Sequence, residues 1–96
     1  MMQKVLTAYF SGRVQGVGFR AYVFGLSKGF TLTGWVKNLP DGRVELVAYG
    51  REDELAEFLK TICQGQMAAH IHDVKSEMHT VGEGPKVEAP DKFRIL

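Results

Sequence analysis

Two stretches of the chain hold residue types that could work on a phosphate. The first is Gly12-Arg13-Val14-Gln15-Gly16-Val17-Gly18-Phe19-Arg20. Glycines let a backbone curl until several N–H groups face one anion. Where such a loop runs into a helix, the unpaired first-turn amides and the partial positive charge of the helix end favour a negative ligand. Arg20 adds a planar fork of donors matched to phosphate oxygens. On the loop residues alone two readings stand open: an anion cradle, or a tight strand-to-helix turn followed by a solvated arginine.

The second stretch is Gly34-Trp35-Val36-Lys37-Asn38-Leu39-Pro40-Asp41-Gly42. Asn38 closes an apolar segment just before a turn, and an asparagine there often caps the turn with its own side chain. A neutral amide that both donates and accepts can instead hold a water in line with a phosphorus atom.

Other chemistry has weaker footing. There is no G-x-x-x-x-G-K-S/T, and Ala21 stands where G-x-G-x-x-G needs its last glycine. Six residues after Cys63 comes Ala69 and not arginine, so the pairing of a thiolate phosphatase is missing, and Cys63 reads as a small packing or surface residue. His70 and His72 would share a face of a strand, with His79 further on, but no third convergent ligand is evident; they read as solvated edge histidines, and no metal is expected. Glu52, Asp53, Glu54 and Glu57 suit the first turn of a helix and make no catalytic pair. The run from Gly18 to Phe24 faintly echoes an RNA-recognition strand, yet its apolar residues fall at helical spacing and belong to a core.

The elements that must position the two stretches follow from periodicity. Residues 4–10 are β-branched and aromatic, a strand that ends at Ser11-Gly12, and residues 11–18 are a loop. Phe19, Tyr22, Val23, Leu26 and Phe30 recur on one helical face, stopped near Gly29. Residues 33–39 and 43–49 read as strands of a hairpin turned at Pro40-Asp41-Gly42. Leu55, Phe58, Leu59 and Ile62 mark a second helix, with Asp53 near its N-cap and Gly65 closing it. A weaker strand is expected over 69–78, a loop over 79–91 and a last short strand over 92–96.

The order β-α-β-β-α-β plus one strand predicts an α+β, ferredoxin-like two-layer sandwich. Two helices lie on one face of a mixed, mostly antiparallel sheet. Because a helix joins the first two strands, they should run parallel with the third between them. Their C-terminal ends then share one edge, which brings the glycine-rich loop near Asn38.

Taken together, Gly12 to Arg20 and Gly34 to Gly42 resemble the paired signature of the acylphosphatase family. The resemblance runs from residue 7 to about 62, and Phe93-Arg94-Ile95 is similar to the family's closing strand. From 66 to 91 it is looser: Ser76 stands where an apolar residue is expected, and, within the first block, Gly18 occupies a position that varies in the family. The resemblance implies that Arg20 is the catalytic phosphate-binding arginine and Asn38 the water-positioning asparagine. It also implies that the backbone amides of Gln15, Gly16, Val17, Gly18 and Phe19 form the phosphate cradle.

The chemistry this implies suits so sparse a site. An acyl phosphate releases a carboxylate with a pKa of roughly 4, so no general acid need assist its departure. What remains is to bind phosphoryl oxygens, offset charge in the transition state and aim one water. The water's proton can pass to the substrate's own phosphate, so no base, metal or cofactor is expected. The alternative is a non-catalytic domain that binds phosphate or acyl phosphate on the same scaffold, as occurs inside larger maturation factors; a chain of 96 residues is expected to stand alone as one domain spanning 1–96.

Composition narrows the partners. Twelve basic residues oppose eleven acidic ones, well mixed, for a net charge of +1, which gives no footprint for nucleic acid. An RNA binder of this topology would also need exposed aromatics on its central strands, and none is expected. The one cysteine allows no internal disulfide. MMQKVLTAYFSG lacks a signal-peptide core, and no stretch approaches a membrane span. The expectation is a cytoplasmic monomer that acts on a small-molecule acyl phosphate.

Overall fold

The computed structural model describes residues 3–81 and 90–96. Strand β1 spans Lys4–Gly12, helix α1 Phe19–Ser27, β2 Thr33–Asn38, β3 Val44–Gly50, α2 Glu52–Gln64, β4 Ile71–Thr80 and β5 Phe93–Ile95. One turn of 3-10 helix at Ala68–His70 precedes β4.

The sheet order is β4-β1-β3-β2-β5. β3 runs antiparallel to both β1 and β2, so those two are parallel to each other, as a crossover through α1 requires. The register makes the consequence concrete. Phe10 of β1 and Asn38 of β2 both pair with Val44. The ends of the two strands therefore flank one residue, and the loop that leaves β1 starts beside the turn that leaves β2.

Alternation builds the core. Leu6, Ala8 and Phe10 of β1, Val36 of β2, and Val44, Leu46 and Ala48 of β3 are buried on one sheet face. Phe19 and Val23 of α1 and Leu55, Phe58 and Ile62 of α2 cover that face at helical spacing. Each large side chain so buried contributes about 1.5–3 kcal/mol. Tyr22 ties the helices together: its hydroxyl donates to the Ile62 carbonyl at 2.8 Å. Gly65 follows α2 in an extended and not a left-handed conformation, and a Cβ there would strike the Tyr22 hydroxyl, so the position is small because α1 packs against it.

Several details depart from the sequence reading. Asp53 lies inside α2 and pairs with Arg51, the residue at the N-cap. α1 ends at Ser27, yet Phe30 still packs on Phe58, with ring centres 5.3 Å apart. β4 begins and ends two residues later than expected, because the 3-10 turn takes up residues 68–70. That puts His70 in the turn and only His72 and His79 on the strand. Ser76 is exposed on this edge strand between half-buried Val74 and Met78. Of the loop expected over 79–91, residues 82–89 lie outside the described residues.

The opposite sheet face carries Tyr9, Trp35 and Tyr49 on central strands, and none of the three is exposed. None is a free stacking platform. Tyr49 is only 6% exposed, the Arg43 guanidinium lies 4.7 Å from the Tyr9 ring centre, and Trp35 Nε1 donates to Glu45 at 3.3 Å.

Candidate active site

The loop from Arg13 to Gly18 enters α1 through backbone that only glycine adopts freely. Gly16 has φ +76° and Gly18, the N-cap of α1, has φ +83°. A Cβ at either would meet nothing within 4 Å, so conformation and not crowding selects glycine here. No side chain caps α1. The first-turn amides of the helix are thus left to an external acceptor or to water.

Phe19, the first helical residue, is buried and packs on Phe10, with ring centres 5.1 Å apart, which fixes the helix start over the end of β1. Arg20 follows it at the surface. Its Nη1 donates to the Leu96 carbonyl at 2.8 Å, and Leu96 is held in turn by its own N–H on the Val36 carbonyl at 2.9 Å. The guanidinium is therefore anchored at one nitrogen, and among the described residues no acidic side chain pairs with it.

A cleft of about 210 Å³ opens at this point. Gly16, Gly18, Phe19 and Arg20 line one side with Val14 and Ala21; Asn38 and Ile95 complete the wall. Asn38 Oδ1 is itself buried and, like Thr33 Oγ1, has no hydrogen-bond partner among the described residues. Leaving a buried acceptor unpaired costs about 1–3 kcal/mol, which a fold accepts where the atom has another task.

The structure thus brings together five of the residues singled out by sequence: Gly16, Gly18, Phe19, Arg20 and Asn38. Gln15 and Val17 lie on the same loop but turn their side chains elsewhere. Val17 packs on the core, and Gln15 Nε2 donates to the carbonyls of Leu39 and Arg43 at 2.8 and 2.9 Å. Cys63 sits on α2, partly buried against the core and outside the cleft wall, and burial pushes its thiol above the ordinary value. Among the described residues no three His, Cys, Asp or Glu side chains converge as metal ligands, and no helix is long and apolar enough to cross a membrane. Sequence reasoning missed two residues: Ile95 as part of the cleft wall, and the Gln15 side chain as a link to the β2–β3 turn. A one-in-nine-residue motif carries no signal for either, since both contacts join segments far apart in the chain.

The family model of acylphosphatases matches residues 6–95, from β1 through β5. The chain belongs to the acylphosphatase family. A curated acylphosphatase of Bacillus licheniformis is 44% identical over 84 residues, 88% of each chain. One of Methanospirillum hungatei is 51% identical over 59 residues, which is 62% of this chain and 65% of the relative. Among solved structures, the acylphosphatase of Bacillus subtilis superimposes with a TM-score of 0.80 at 34% identity, covering 97% of this chain and 98% of that one. The chain is accordingly similar to acylphosphatases along nearly its whole length, including the late strands where the motif resemblance was loosest.

Proposed function

We propose that this acylphosphatase hydrolyses the carboxyl–phosphate bond of acyl phosphates in the cleft between the 13–18 loop and the end of β2. The observation that carries the reading is the meeting of two side chains in one cleft wall: the Arg20 guanidinium, anchored at one nitrogen, and the Asn38 amide.

The phosphoryl oxygens lie against the amides of Gln15 to Phe19 and the unused donors of Arg20. These groups offset the negative charge that spreads over the oxygens as the bond to the acyl group lengthens. The side-chain amide of Asn38 hydrogen-bonds the attacking water and holds it on the side opposite the leaving group. The water oxygen bonds to phosphorus, and the bond from phosphorus to the acyl oxygen breaks. Its electron pair leaves on a carboxylate, which is stable unprotonated at neutral pH. The second water proton moves to a phosphate oxygen, so water and acyl phosphate become carboxylate and dihydrogen phosphate. The path needs no metal and no cofactor. Ile95, 42% exposed at the cleft, offers an apolar surface to the acyl group.

The same reading makes the protein a cytoplasmic monomer with a small-molecule substrate, in keeping with its balanced charge and single cysteine. Hydrolysis of benzoyl phosphate in water enriched in oxygen-18 tests the mechanism. Label found in inorganic phosphate and absent from benzoate is the expected result; label in benzoate would mean attack at carbon and would defeat the role given to Asn38.

A further inference from the structure

We propose that Gln15 is a positioning residue whose side-chain amide sets the distance between the phosphate cradle and Asn38. This rests on the reading of the cleft as an acyl phosphate site. Gln15 stands in the loop between buried Val14 and left-handed Gly16. Its Nε2 spends both protons on one target, the mouth of the β2–β3 turn: the Leu39 carbonyl at 2.8 Å and the Arg43 carbonyl at 2.9 Å. Leu39 follows Asn38 directly, and Arg43 precedes Val44, the residue that pairs with Asn38. The amide therefore grips the backbone on both sides of the strand end that carries Asn38. Among the described residues no other hydrogen bond joins this loop to this turn.

Each half holds its own shape without the link. The turn is closed by the Leu39 N–H on the Arg43 carbonyl at 2.8 Å and by Arg43 on the Asp41 carboxylate. The loop is held by buried Val14 and Phe19 and by Arg13 N–H on the His70 carbonyl at 2.9 Å. What the Gln15 side chain adds is their separation. The cradle fixes phosphorus and Asn38 fixes the water, so that separation is the distance over which the water attacks. A displacement of about 1 Å there can cost on the order of 100-fold in rate.

The role predicts a pattern that a merely structural contact does not give. Gln15→Ala should lower kcat on benzoyl phosphate by roughly 10- to 100-fold and leave the inhibition constant of inorganic phosphate within about twofold, because the cradle amides remain. Gln15→Glu keeps the length of the side chain but has no N–H to give, and should fall as far. In an Asn38→Ala background the Gln15→Ala change should cost less than about twofold more, since the water it serves is already unplaced. Losses that multiply in the double variant, or Gln15 variants with wild-type kcat, would overturn the role while leaving the proposed function intact. A folded wild type without turnover would instead overturn the proposed function, and this inference with it.

Discussion

Arg20 and Leu96 meet across the site: Nη1 of the first donates to the carbonyl oxygen of the second at 2.8 Å. The contact joins the first turn of α1 to the backbone just beyond β5, which itself runs parallel to β2. With the Leu96 N–H on the Val36 carbonyl at 2.9 Å, two hydrogen bonds thus connect three of the elements around the cleft. The first also leaves Arg20 held at one nitrogen, which lowers the entropy lost when the rest of the fork takes hold of a phosphate as proposed.

Asn38 answers to a different demand. Replacing it with Ala removes the amide proposed to hold the water and leaves the anion donors in place. We expect kcat to fall on the order of 100-fold while the inhibition constant of inorganic phosphate moves less than about threefold. Because Oδ1 is buried and unpaired, its removal also lifts a desolvation cost, so the Tm of Asn38→Ala should not drop. Steady-state kinetics and a thermal melt check both halves; a matching loss of phosphate affinity would contradict the assigned role.

Gly18 tests the cradle through the backbone. Its φ of +83° at the N-cap of α1 strains most side-chain-bearing residues, alanine among them, although there is open space for a Cβ. Gly18→Ala should cost about 1–2 kcal/mol of stability, read from denaturant unfolding, and should weaken phosphate binding as the loop relaxes.

Ile95 should govern which acyl groups are favoured. With Ile95→Ser the KM for benzoyl phosphate should rise about 5- to 20-fold, in line with the loss of one apolar contact surface. The KM for acetyl phosphate should barely change. Equal shifts for both substrates would remove Ile95 from the acyl side of the cleft.

Cys63 should be silent. Burial pushes its thiol up, so the thiolate is scarce at neutral pH and becomes available only as pH rises past the ordinary thiol value of about 8.5. Alkylation by iodoacetamide should be slow at pH 7 and faster at pH 9.5. The modified protein should keep its hydrolase activity, since the thiol is not part of the cleft wall.

Much of this was legible in the residues. The parallel course of β1 and β2 follows from the helix that joins them, and that geometry alone places Asn38 beside the glycine-rich loop. The glycines of 11–18 marked a loop whose backbone curls, and Gly16 and Gly18 supply it with positive φ. The edge strand was harder: His72, Asp73, Lys75, Ser76 and Glu77 give little alternation, so the start of β4 slid past the 3-10 turn that precedes it. On the open face Tyr9 and Trp35 are partly covered by Arg43 and Glu45, neighbours supplied by β3 and the turn before it, so neither is exposed. The Gln15 side-chain link left no trace in the sequence, where its acceptors lie 24 and 28 residues away.

In the proposed mechanism Arg20 holds the phosphate without a metal. The most direct test is the hydrolysis of benzoyl phosphate, with a chelator present, by wild type and by Arg20→Ala shown to be folded by circular dichroism. The account predicts full activity for the wild type and a loss of about 100-fold or more for the variant. Near-normal turnover by Arg20→Ala, or a wild type that the chelator silences, would contradict it.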